Sequence, residues 1–264
     1  MENLLEVKNL KVEFELGAKT IPAVNGVNLS IKSDEVVVLA GESGSGKTVT
    51  AMALTRILAP NARIKDGEVI FNGEDLLKSE ESHLIKIRGK EIAYIFQEPT
   101  SFLNPVYTIG EQISEAIILH HGKSRKDALQ EAANLLESVK IKDPQRVIGS
   151  YPHQLSGGMN QRAFIAMSLA CKPKLLIADE PTTSLDVTIE AQILKLLMDL
   201  KQDFGFSLLF ITHNLSIARK IADRIYVMYR GEVVEEGTVQ SIFVSPRHFH
   251  TKELIEAYEK IGKI

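Results

Sequence analysis

The sequence has little cysteine, no excess of positive charge and no long apolar run. Its one cysteine, Cys171, cannot form an internal disulfide and supplies too few thiolates for a zinc site or an iron–sulfur cluster. We expect it to be a buried small side chain in a reducing, cytosolic setting. The formal net charge is −3, from 31 basic and 34 acidic residues. Without an excess positive field, no nucleic-acid partner is expected.

No apolar stretch approaches the length of a membrane span. The most apolar stretches, at 36–40, 116–119 and 208–211, fall far short of the roughly 18 to 20 residues that a bilayer-crossing helix needs. The first residues lack the basic start and the apolar core of a signal peptide. The sequence therefore predicts a chain that neither crosses a membrane nor is exported.

The pattern of apolar residues predicts an α/β fold. The 264 residues are 44% hydrophobic and 25% charged, which is typical of a folded chain with one large domain or two small ones. Short alternating runs over 4–31 predict an antiparallel ribbon. Buried strands are predicted at 36–40, 92–96, 175–178 and 207–211, a hairpin strand at 67–77 and a strand pair at 224–235. Helices are predicted at 48–58, 188–204 and 252–261, with a mainly helical insertion at 109–139.

A glycine-rich turn follows the strand at 36–40 and precedes a helix. It reads Gly41-Glu42-Ser43-Gly44-Ser45-Gly46-Lys47-Thr48, which fits a phosphate-binding loop. Glycines let backbone N–H groups converge on phosphate oxygens, and the following helix points its positive end at the anion. We expect Lys47 to reach the β- and γ-phosphates and the Thr48 hydroxyl to ligate Mg²⁺. A tight structural turn is the alternative, but the position between a strand and a helix favours nucleotide binding.

A pair of carboxylates at the end of another apolar strand is the second candidate element. After residues 175–178 come Asp179, which can hold a metal shell, and Glu180, which can polarise a water. Taken alone, the same residues equally fit a helix-capping turn. Upstream, Ser156-Gly157-Gly158 opens a further helix and offers a second anion-binding helix start. One chain then carries two helix starts directed at phosphate.

In these elements the sequence resembles the nucleotide-binding subunits of ABC transporters, over nearly the whole chain and in that family's order. The motifs that carry the resemblance are the Walker A loop at 41–48, the Q-loop Phe96-Gln97-Glu98-Pro99, the signature Ser156-Gly157-Gly158, the Walker B pair Asp179-Glu180, the D-loop Ser184-Leu185-Asp186 and the switch histidine His213. The resemblance implies a P-loop NTPase core of the RecA type with an antiparallel β ribbon and a helical subdomain. The expected partition of 1–264 is core and β subdomain at 1–97 and 161–240, helical subdomain at 98–160 and a short C-terminal tail at 241–264.

The resemblance also implies the site and its cofactors, ATP and Mg²⁺. Glu180 would be the general base for the attacking water, His213 would contact the γ-phosphate, and Lys47 would stabilise the transferred phosphoryl group, with Gln97 also in the catalytic set. The implied metal ligands are Thr48, Gln97 and Asp179. The implied nucleotide contacts are Phe14, Gly41, Glu42, Ser43, Gly44, Ser45, Gly46, Lys47, Thr48, Thr50, Ser156, Gly157, Gly158 and Asp186.

Three of these assignments have plain structural alternatives. Phe14 falls where the family stacks an aromatic ring on adenine, but its alternation with Val12 fits strand core equally well. Gln97 could be a solvated loop amide, and His213 could be a capping residue before Asn214. These alternatives stay open at the level of the sequence.

Several smaller marks resemble the peptide and nickel importer branch of the family. They are Met159 in place of the commoner glutamine, Leu103-Asn104-Pro105, and Pro246-Arg247-His248. The branch implies an ATPase that energises uptake of di- or oligopeptides from the cytoplasmic face of the plasma membrane, as a peripheral subunit. Nickel or another chelated metal is the alternative cargo. A soluble ABC ATPase outside transport, or a catalytically weak dimer partner, are further alternatives.

The branch also implies partners. Two transmembrane permease subunits would form the channel, and their coupling helix would dock in a groove near residues 97–105 and the helical insertion. An extracytoplasmic substrate-binding protein would deliver the cargo. Two ATPase subunits would pair head to tail, as a homodimer or as a heterodimer with a paralogous subunit.

Overall fold

The structure is a computed structural model that describes residues 3–97, 99–183 and 186–261. Its strands, in chain order, are β1 (Asn3–Leu16), β2 (Lys19–Lys32), β3 (Val36–Ala40), β4 (Ala62–Phe71), β5 (Glu74–Asp75), β6 (Ile92–Ile95), β7 (Leu175–Asp179), β8 (Ser207–Thr212), β9 (Arg224–Tyr229) and β10 (Glu232–Thr238). Its helices are α1 (Lys47–Leu54), α2 (Glu81–Ile87), α3 (Pro99–Phe102), α4 (Ile109–His121), α5 (Arg125–Ser138), α6 (Pro144–Ile148), α7 (Gly157–Ser168), α8 (Val187–Phe204), α9 (Leu215–Ile221), α10 (Val239–Val244) and α11 (Phe249–Ile261). The chain divides into two compact units, Met1–Leu84 with Ser207–Ile264, and Ile85–Phe206.

An antiparallel sheet in the first unit has the strand order β2-β1-β4-β5. Besides Leu4 at its start, the buried positions of β1 are Leu5 and Val7, then Leu10 and Val12, so the inward phase slips by one residue. A register shift between Val7 and Leu10 in the pairing with β2 absorbs this slip. The predicted ribbon is therefore confirmed, but its separate short runs before residue 16 are parts of one long strand, β1, that bends at a bulge.

A second sheet in this unit is built around β3, which is buried along its whole length. Strand β3 pairs in parallel with β8 on one side and with β9 on the other, and β10 pairs antiparallel with β9. A central parallel strand has both faces covered, which explains its continuous apolar sequence. The predicted strands at 36–40, 207–211 and 224–235 are confirmed.

Helix α1 ends at Leu54, so the prediction of a helix to residue 58 is wrong. Arg56 has a φ of 57°, in the left-handed region. The N–H of the next residue, Ile57, donates to the carbonyl of Met52 at 3.0 Å, and this bond closes the helix end. The apolar spacing extends beyond the helix because Ile57 and Leu58 are still partly buried after the chain has turned.

In the second unit, β6 and β7 form a parallel pair, and α4 to α7 supply most of the helical residues. Thr108 and Glu111 form a capping box at the start of α4, and Gly122 ends it with a φ of 64°. Ser124 then caps α5. The helical insertion and its break near residue 122 are therefore confirmed. Of the helices in the described residues, none has the length and apolar character needed to span a bilayer.

Cys171 is buried in the second unit, as predicted. Burial raises the pKa of its thiol to about 11, with a smaller opposing effect from the positive charge of Lys90. The thiol is therefore protonated at neutral pH and is a weak nucleophile.

Arg224 connects the two sheets of the first unit. Its guanidinium donates to both carboxylate oxygens of Glu35, at 2.9 and 3.1 Å, and to the carbonyl oxygen of Ser30 at 2.6 Å. The two side chains are only 21% and 12% exposed, so the pair is poorly screened. This contact holds β2 against the start of β3 and β9.

Replacing Arg224 by alanine should lower the free energy of unfolding by about 2 kcal/mol, because it leaves the Glu35 carboxylate buried without its cation. Chemical denaturation followed by circular dichroism measures the change. The control is Arg146→Ala, whose 3.7 Å pair with Asp143 is 69% and 60% exposed, and it should change stability by less than about 0.5 kcal/mol. Equal effects of the two substitutions would show that burial of the Arg224 pair is unimportant.

Candidate functional site

The residues predicted to bind phosphate form the turn between β3 and α1. Strand β3 ends at Ala40, whose partner in the parallel strand β8 is Thr212. The next residues, Gly41 and His213, therefore leave the carboxyl edge of the same sheet from neighbouring strands. Open α/β sheets bind ligands at this edge.

The start of α1 suits an anion. Gly46 is its N-cap with a φ of 102°, no side chain caps the helix, and its first turn has no acidic residue. The first N–H groups of the helix and its positive end are thus directed at the loop. Ser45 is buried, and its hydroxyl has no hydrogen-bond partner among the described residues. A phosphate oxygen would satisfy this hydroxyl, so the loop fits the phosphate groups of a nucleotide.

Lys47 is folded back over the loop. Its ammonium donates to the carbonyl oxygens of Gly41 at 2.9 Å and Glu42 at 2.8 Å, and the side chain is buried. These contacts hold the positive charge above the residues that lead into the helix. Thr50 is fully buried and donates to the carbonyl oxygen of Gly46 at 2.9 Å, so it braces the helix start from inside.

The remaining predicted nucleotide contacts of the first unit lie at the surface or in a strand. Glu42, Ser43, Gly44 and Thr48 are exposed around the loop. Phe14 is half-buried in β1, opposite Ile21 of β2 and Ala62 of β4. This position is compatible both with strand core and with stacking, so the assignment of Phe14 stays a prediction.

His213 is exposed directly after β8. The N-cap of the next helix, α9, is Asn214, whose side chain accepts the N–H of Ser216 at 2.9 Å. The alternative that His213 is a capping residue is therefore wrong. His213 precedes the cap residue and follows β8 at the same sheet edge as Gly41.

In the second unit, Asp179 and Glu180 end the buried strand β7. Asp179 is buried, and Glu180 has a φ of 45°, a left-handed conformation that costs a non-glycine residue about 1 kcal/mol. The hydroxyl of Thr183 donates to one oxygen of the Glu180 carboxylate at 2.9 Å, and the Thr183 N–H donates to the Glu180 carbonyl at 3.1 Å. These two hydrogen bonds hold the strained backbone of Glu180 and fix the direction of its carboxylate.

The structure also answers whether Asp179 and Glu180 form a helix-capping turn. The residue that caps α8 is Asp186, whose side chain accepts the N–H of Ile189 at 2.9 Å. Asp179 and Glu180 therefore do not cap that helix. Two residues of the predicted D-loop, Ser184 and Leu185, lie outside the described residues.

The predicted signature residues begin α7. Ser156 is the N-cap and accepts the N–H of Met159 at 3.4 Å. No atom lies within 4 Å of the position that a Cβ would take at Gly157 or Gly158, so the helix start faces open space. Gln97 is exposed after β6, while Glu98 of the predicted Q-loop lies outside the described residues.

Gln161 is a residue that sequence reasoning did not single out. Its side chain is buried, and its amide Nε2 donates to the carbonyl oxygen of Pro181 at 2.7 Å. The bond connects the signature helix α7 to the turn that holds Glu180. Its neighbours Asn160 and Arg162 are polar as well, so no signal in the sequence distinguishes Gln161.

The family assignment follows from comparison with known proteins. The pattern of the ABC transporter family matches residues 24–183, which include the phosphate loop, the signature and the carboxylate pair. The chain belongs to the ABC transporter family. The predicted family is confirmed, and so is the P-loop NTPase fold with ATP hydrolysis coupled to transport as its activity.

Relatives within the ABC transporter family are similar over nearly the whole chain. A protein of Brucella melitensis biotype 1, named as a peptide import ATP-binding protein, is 48% identical over 98% of this chain and 78% of its own length. The glutathione import ATP-binding protein GsiA of Salmonella paratyphi A is 46% identical over 98% of this chain, which is matched to 43% of that longer protein.

Two solved ABC structures share the fold. The ATP-binding cassette MJ0796, solved as a dimer in a post-hydrolysis state with ADP and Pi, is 30% identical with a TM-score of 0.78 over 93% of this chain and 100% of its own. The protein cbiO1 of Clostridium perfringens, described as part of the transporter complex cbiONQ, is 25% identical with a TM-score of 0.79 over 100% of this chain and 98% of its own.

The orphaned hydroxyl of Ser45 yields a prediction. Ser45→Ala removes a buried group that makes no hydrogen bond, so the free energy of unfolding without nucleotide should stay equal or rise by up to about 1 kcal/mol. The Kd for ADP should increase about tenfold, since hydrogen bonds to charged groups contribute about 1.5 to 3 kcal/mol. Calorimetric titration and thermal unfolding measure the two effects. The exposed Ser33→Ala is the control, and a parallel loss of stability and affinity in Ser45→Ala would contradict the interpretation.

Proposed function

We propose that this chain is the ATPase subunit of an importer that carries di- or oligopeptides through separate permease subunits. The observation that carries the proposal is the phosphate loop, in which a folded-back Lys47 and an unpartnered Ser45 hydroxyl meet the uncapped start of α1. The cargo class is supported by the names of relatives that are similar over 98% of this chain.

Binding of ATP uses backbone N–H groups and few side chains. The N–H groups of residues 41–48 surround the phosphates, the Lys47 ammonium balances their charge, and the Ser45 hydroxyl donates to an oxygen. Thr48, Asp179 and Gln97 offer hydroxyl, carboxylate and amide oxygens, the donor types that suit Mg²⁺. When bound, Mg²⁺ neutralises charge on the phosphate oxygens. Phe14 stacks on the adenine ring.

Hydrolysis is a direct displacement at the γ-phosphorus. Glu180 accepts a proton from water as the water oxygen bonds to the γ-phosphorus and the bond from that phosphorus to the bridging oxygen breaks. ADP and phosphate are the products, with no covalent intermediate. The Thr183 hydrogen bond holds one oxygen of the Glu180 carboxylate and so orients the other toward the water. His213 contacts the γ-phosphate and helps to position the water.

A second subunit completes the site. Ser156, Gly157 and Gly158 present an open helix start, which is an anion-binding feature. In the proposal this helix start contacts the γ-phosphate held by the loop of the partner, and Asp186 lies at the same interface. The dimer of MJ0796 bound to ADP and Pi supports this arrangement. The partner is either a second copy of this chain or a paralogous ATPase subunit.

The role of Glu180 can be tested with an isosteric substitution. Glu180→Gln removes the proton acceptor but keeps the side-chain shape, so ATP hydrolysis should fall by about 10²- to 10⁴-fold while ATP affinity is retained and the dimer accumulates. Phosphate release and size-exclusion chromatography with ATP measure these effects. Glu137→Gln, on the exposed face of α5, is the matched control. Unchanged hydrolysis in Glu180→Gln would remove Glu180 from its role.

An apolar cleft in the second unit is the proposed docking site for the permease. The cleft has a volume of about 430 Å³, and among its lining residues are Tyr94, Phe96, Phe102, Leu119 and Phe164. The ring centroids of Phe96 and Phe102 are 4.3 Å apart and the rings are stacked. The apolar face of a short permease helix matches this surface. The predicted helical subdomain, 98–160, supplies Phe102 and Leu119.

A neutral histidine keeps the cleft apolar. Burial, together with the nearby charges of Lys90 and His121, lowers the pKa of His120 below its ordinary value. The imidazole is therefore uncharged at neutral pH, and an apolar partner meets no positive charge on His120 itself.

The proposed partners can be identified by affinity purification. The tagged chain, recovered from gently solubilised native membranes, should bring down two multi-span permeases and a second ATPase subunit. Leu119→Glu places a charge in the cleft and should abolish this association without changing ATP affinity. The control Val244→Glu alters a similarly exposed apolar residue in α10, 73% exposed against 70% for Leu119. Recovery of the wild-type chain alone, or with nucleic acid, would contradict the transport assignment and favour a soluble ABC ATPase.

The purified complex can also be used to identify the cargo. An extracytoplasmic binding protein delivers it to the permeases at the outer face, while this chain acts as a peripheral subunit at the cytoplasmic face. ATP hydrolysis by the reconstituted complex should increase with a peptide-loaded binding protein. Stimulation by chelated nickel in place of peptide would support the alternative cargo.

A further inference from the structure

The phosphate loop is contacted from behind by the hairpin that joins β9 to β10. The carbonyl oxygen of Met228 lies against Gly41 so closely that a Cβ at that glycine would overlap it. The terminal methyl of Met228 lies 2.8 Å from the position of a Cβ at Gly46. The N–H of Gly231 donates to the carbonyl oxygen of Ser45 at 2.9 Å. One hairpin thus contacts the beginning, the middle and the end of the loop.

Strand β2 holds the hairpin in turn. The N–H of Asn25 donates to the carbonyl oxygen of Gly231 at 2.7 Å, and the Asn25 side chain donates to Glu232 at 2.6 Å. The carbonyl oxygen of Ala23 lies 3.0 Å from where a Cβ of Gly231 would be, and 2.5 Å from where a Cβ of Gly46 would be. Gly231 is therefore held between β2 and the loop, where a Cβ would press on the backbone of β2.

We propose that Gly231 and Met228 are positioning residues for the nucleotide. They belong to none of the six motifs that carry the family resemblance, and they contact Gly41, Ser45 and Gly46 of the loop. Their contacts fix the carbonyl of Ser45 and the glycines on either side of it, so that the loop N–H groups point toward one phosphate position. This inference rests on the proposed nucleotide site.

The physical reason is the flexibility of a loop with three glycines. Gly41, Gly44 and Gly46 all have positive φ angles, and glycine backbones lose the most conformational freedom when they are ordered. If the hairpin did not hold the loop, the conformation that binds phosphate would be only part of the population. The apparent Kd rises in inverse proportion to that fraction. Chemistry in the bound state would be unchanged, so KM should rise while kcat is retained.

The chain offers a matched pair of glycines for the test. Gly231 and Gly73 both have a φ of 85°, so alanine is strained to a similar degree at either position. A Cβ at Gly73 meets no atom within 4 Å, whereas a Cβ at Gly231 meets the backbone of β2. Gly73 lies in the turn between β4 and β5, away from the motifs of the site. The pair separates backbone strain from displacement of the hairpin.

The experiment measures Mg-ADP affinity by calorimetry, thermal stability, and KM and kcat for ATP in the full chain. Gly231→Ala should raise the Kd for ADP and the KM for ATP by about tenfold, with kcat within about twofold of wild type. Gly73→Ala should match wild-type affinity. Met228→Leu keeps the volume and the backbone carbonyl but removes the methyl near Gly46 and the sulfur that accepts the Thr50 hydroxyl at 3.8 Å, and it should raise Kd by about threefold.

Each outcome bears on one proposal. If wild type binds no Mg-ADP, the proposed function fails. If wild type binds but Gly231→Ala and Met228→Leu bind equally well, or if both glycine variants lose affinity alike, the positioning role is overturned. If Gly231→Ala does not fold, Met228→Leu alone decides: a raised Kd with retained kcat supports the role, and an unchanged Kd overturns it.

Discussion

The proposed convergence of the loop's backbone N–H groups on one phosphate position is the constraint on which the rest of the structure depends. A loop of six residues can do this only if several of them take left-handed conformations, which explains Gly41, Gly44 and Gly46. These three glycines have no side chains that could hold the loop, so its neighbours must hold it. The buried strand β3 fixes one end, α1 fixes the other, and Lys47 and the β9–β10 hairpin close on it from two sides.

The distinction between local sequence and distant contacts explains how much of the fold and the site could be predicted. Strand β3, the loop and α1 are contiguous, and their apolar pattern and glycine spacing are local, so the sequence alone predicts them. The bulge in β1 depends on strand pairing, and the end of α1 depends on one left-handed residue. The spacing of apolar residues predicts neither feature. Gly231 contacts Ser45 of the loop from about 190 positions further along the chain, and Gln161 meets Pro181 through a single amide. Contacts of that kind need the folded structure.

The turn after β7 also needs a left-handed residue, but here that residue is Glu180 and not a glycine. Glu180 is held in a left-handed conformation that its side chain disfavours, and the cost is offset by the turn in which Thr183 binds both its carbonyl and its carboxylate. A relaxed backbone at this position would point the carboxylate in another direction. The buried amide of Gln161 ties that turn to the signature helix, so within the second unit the proposed general base and the proposed partner-facing helix start are connected by one hydrogen bond.

This connection has a consequence for how the proposed motor would respond to its partners. The start of α7 presents Gly157 and Gly158 to open space, and the cleft at Phe102 and Leu119 exposes apolar side chains. Phe164, which lines that cleft, lies on the same helix as Gln161. A permease helix bound in the cleft would therefore contact α7. A phosphate bound at the start of α7 would contact the same helix. Because Gln161 connects α7 to the Glu180 turn, both events would act on the direction of one carboxylate in the proposed coupling of cargo delivery to hydrolysis.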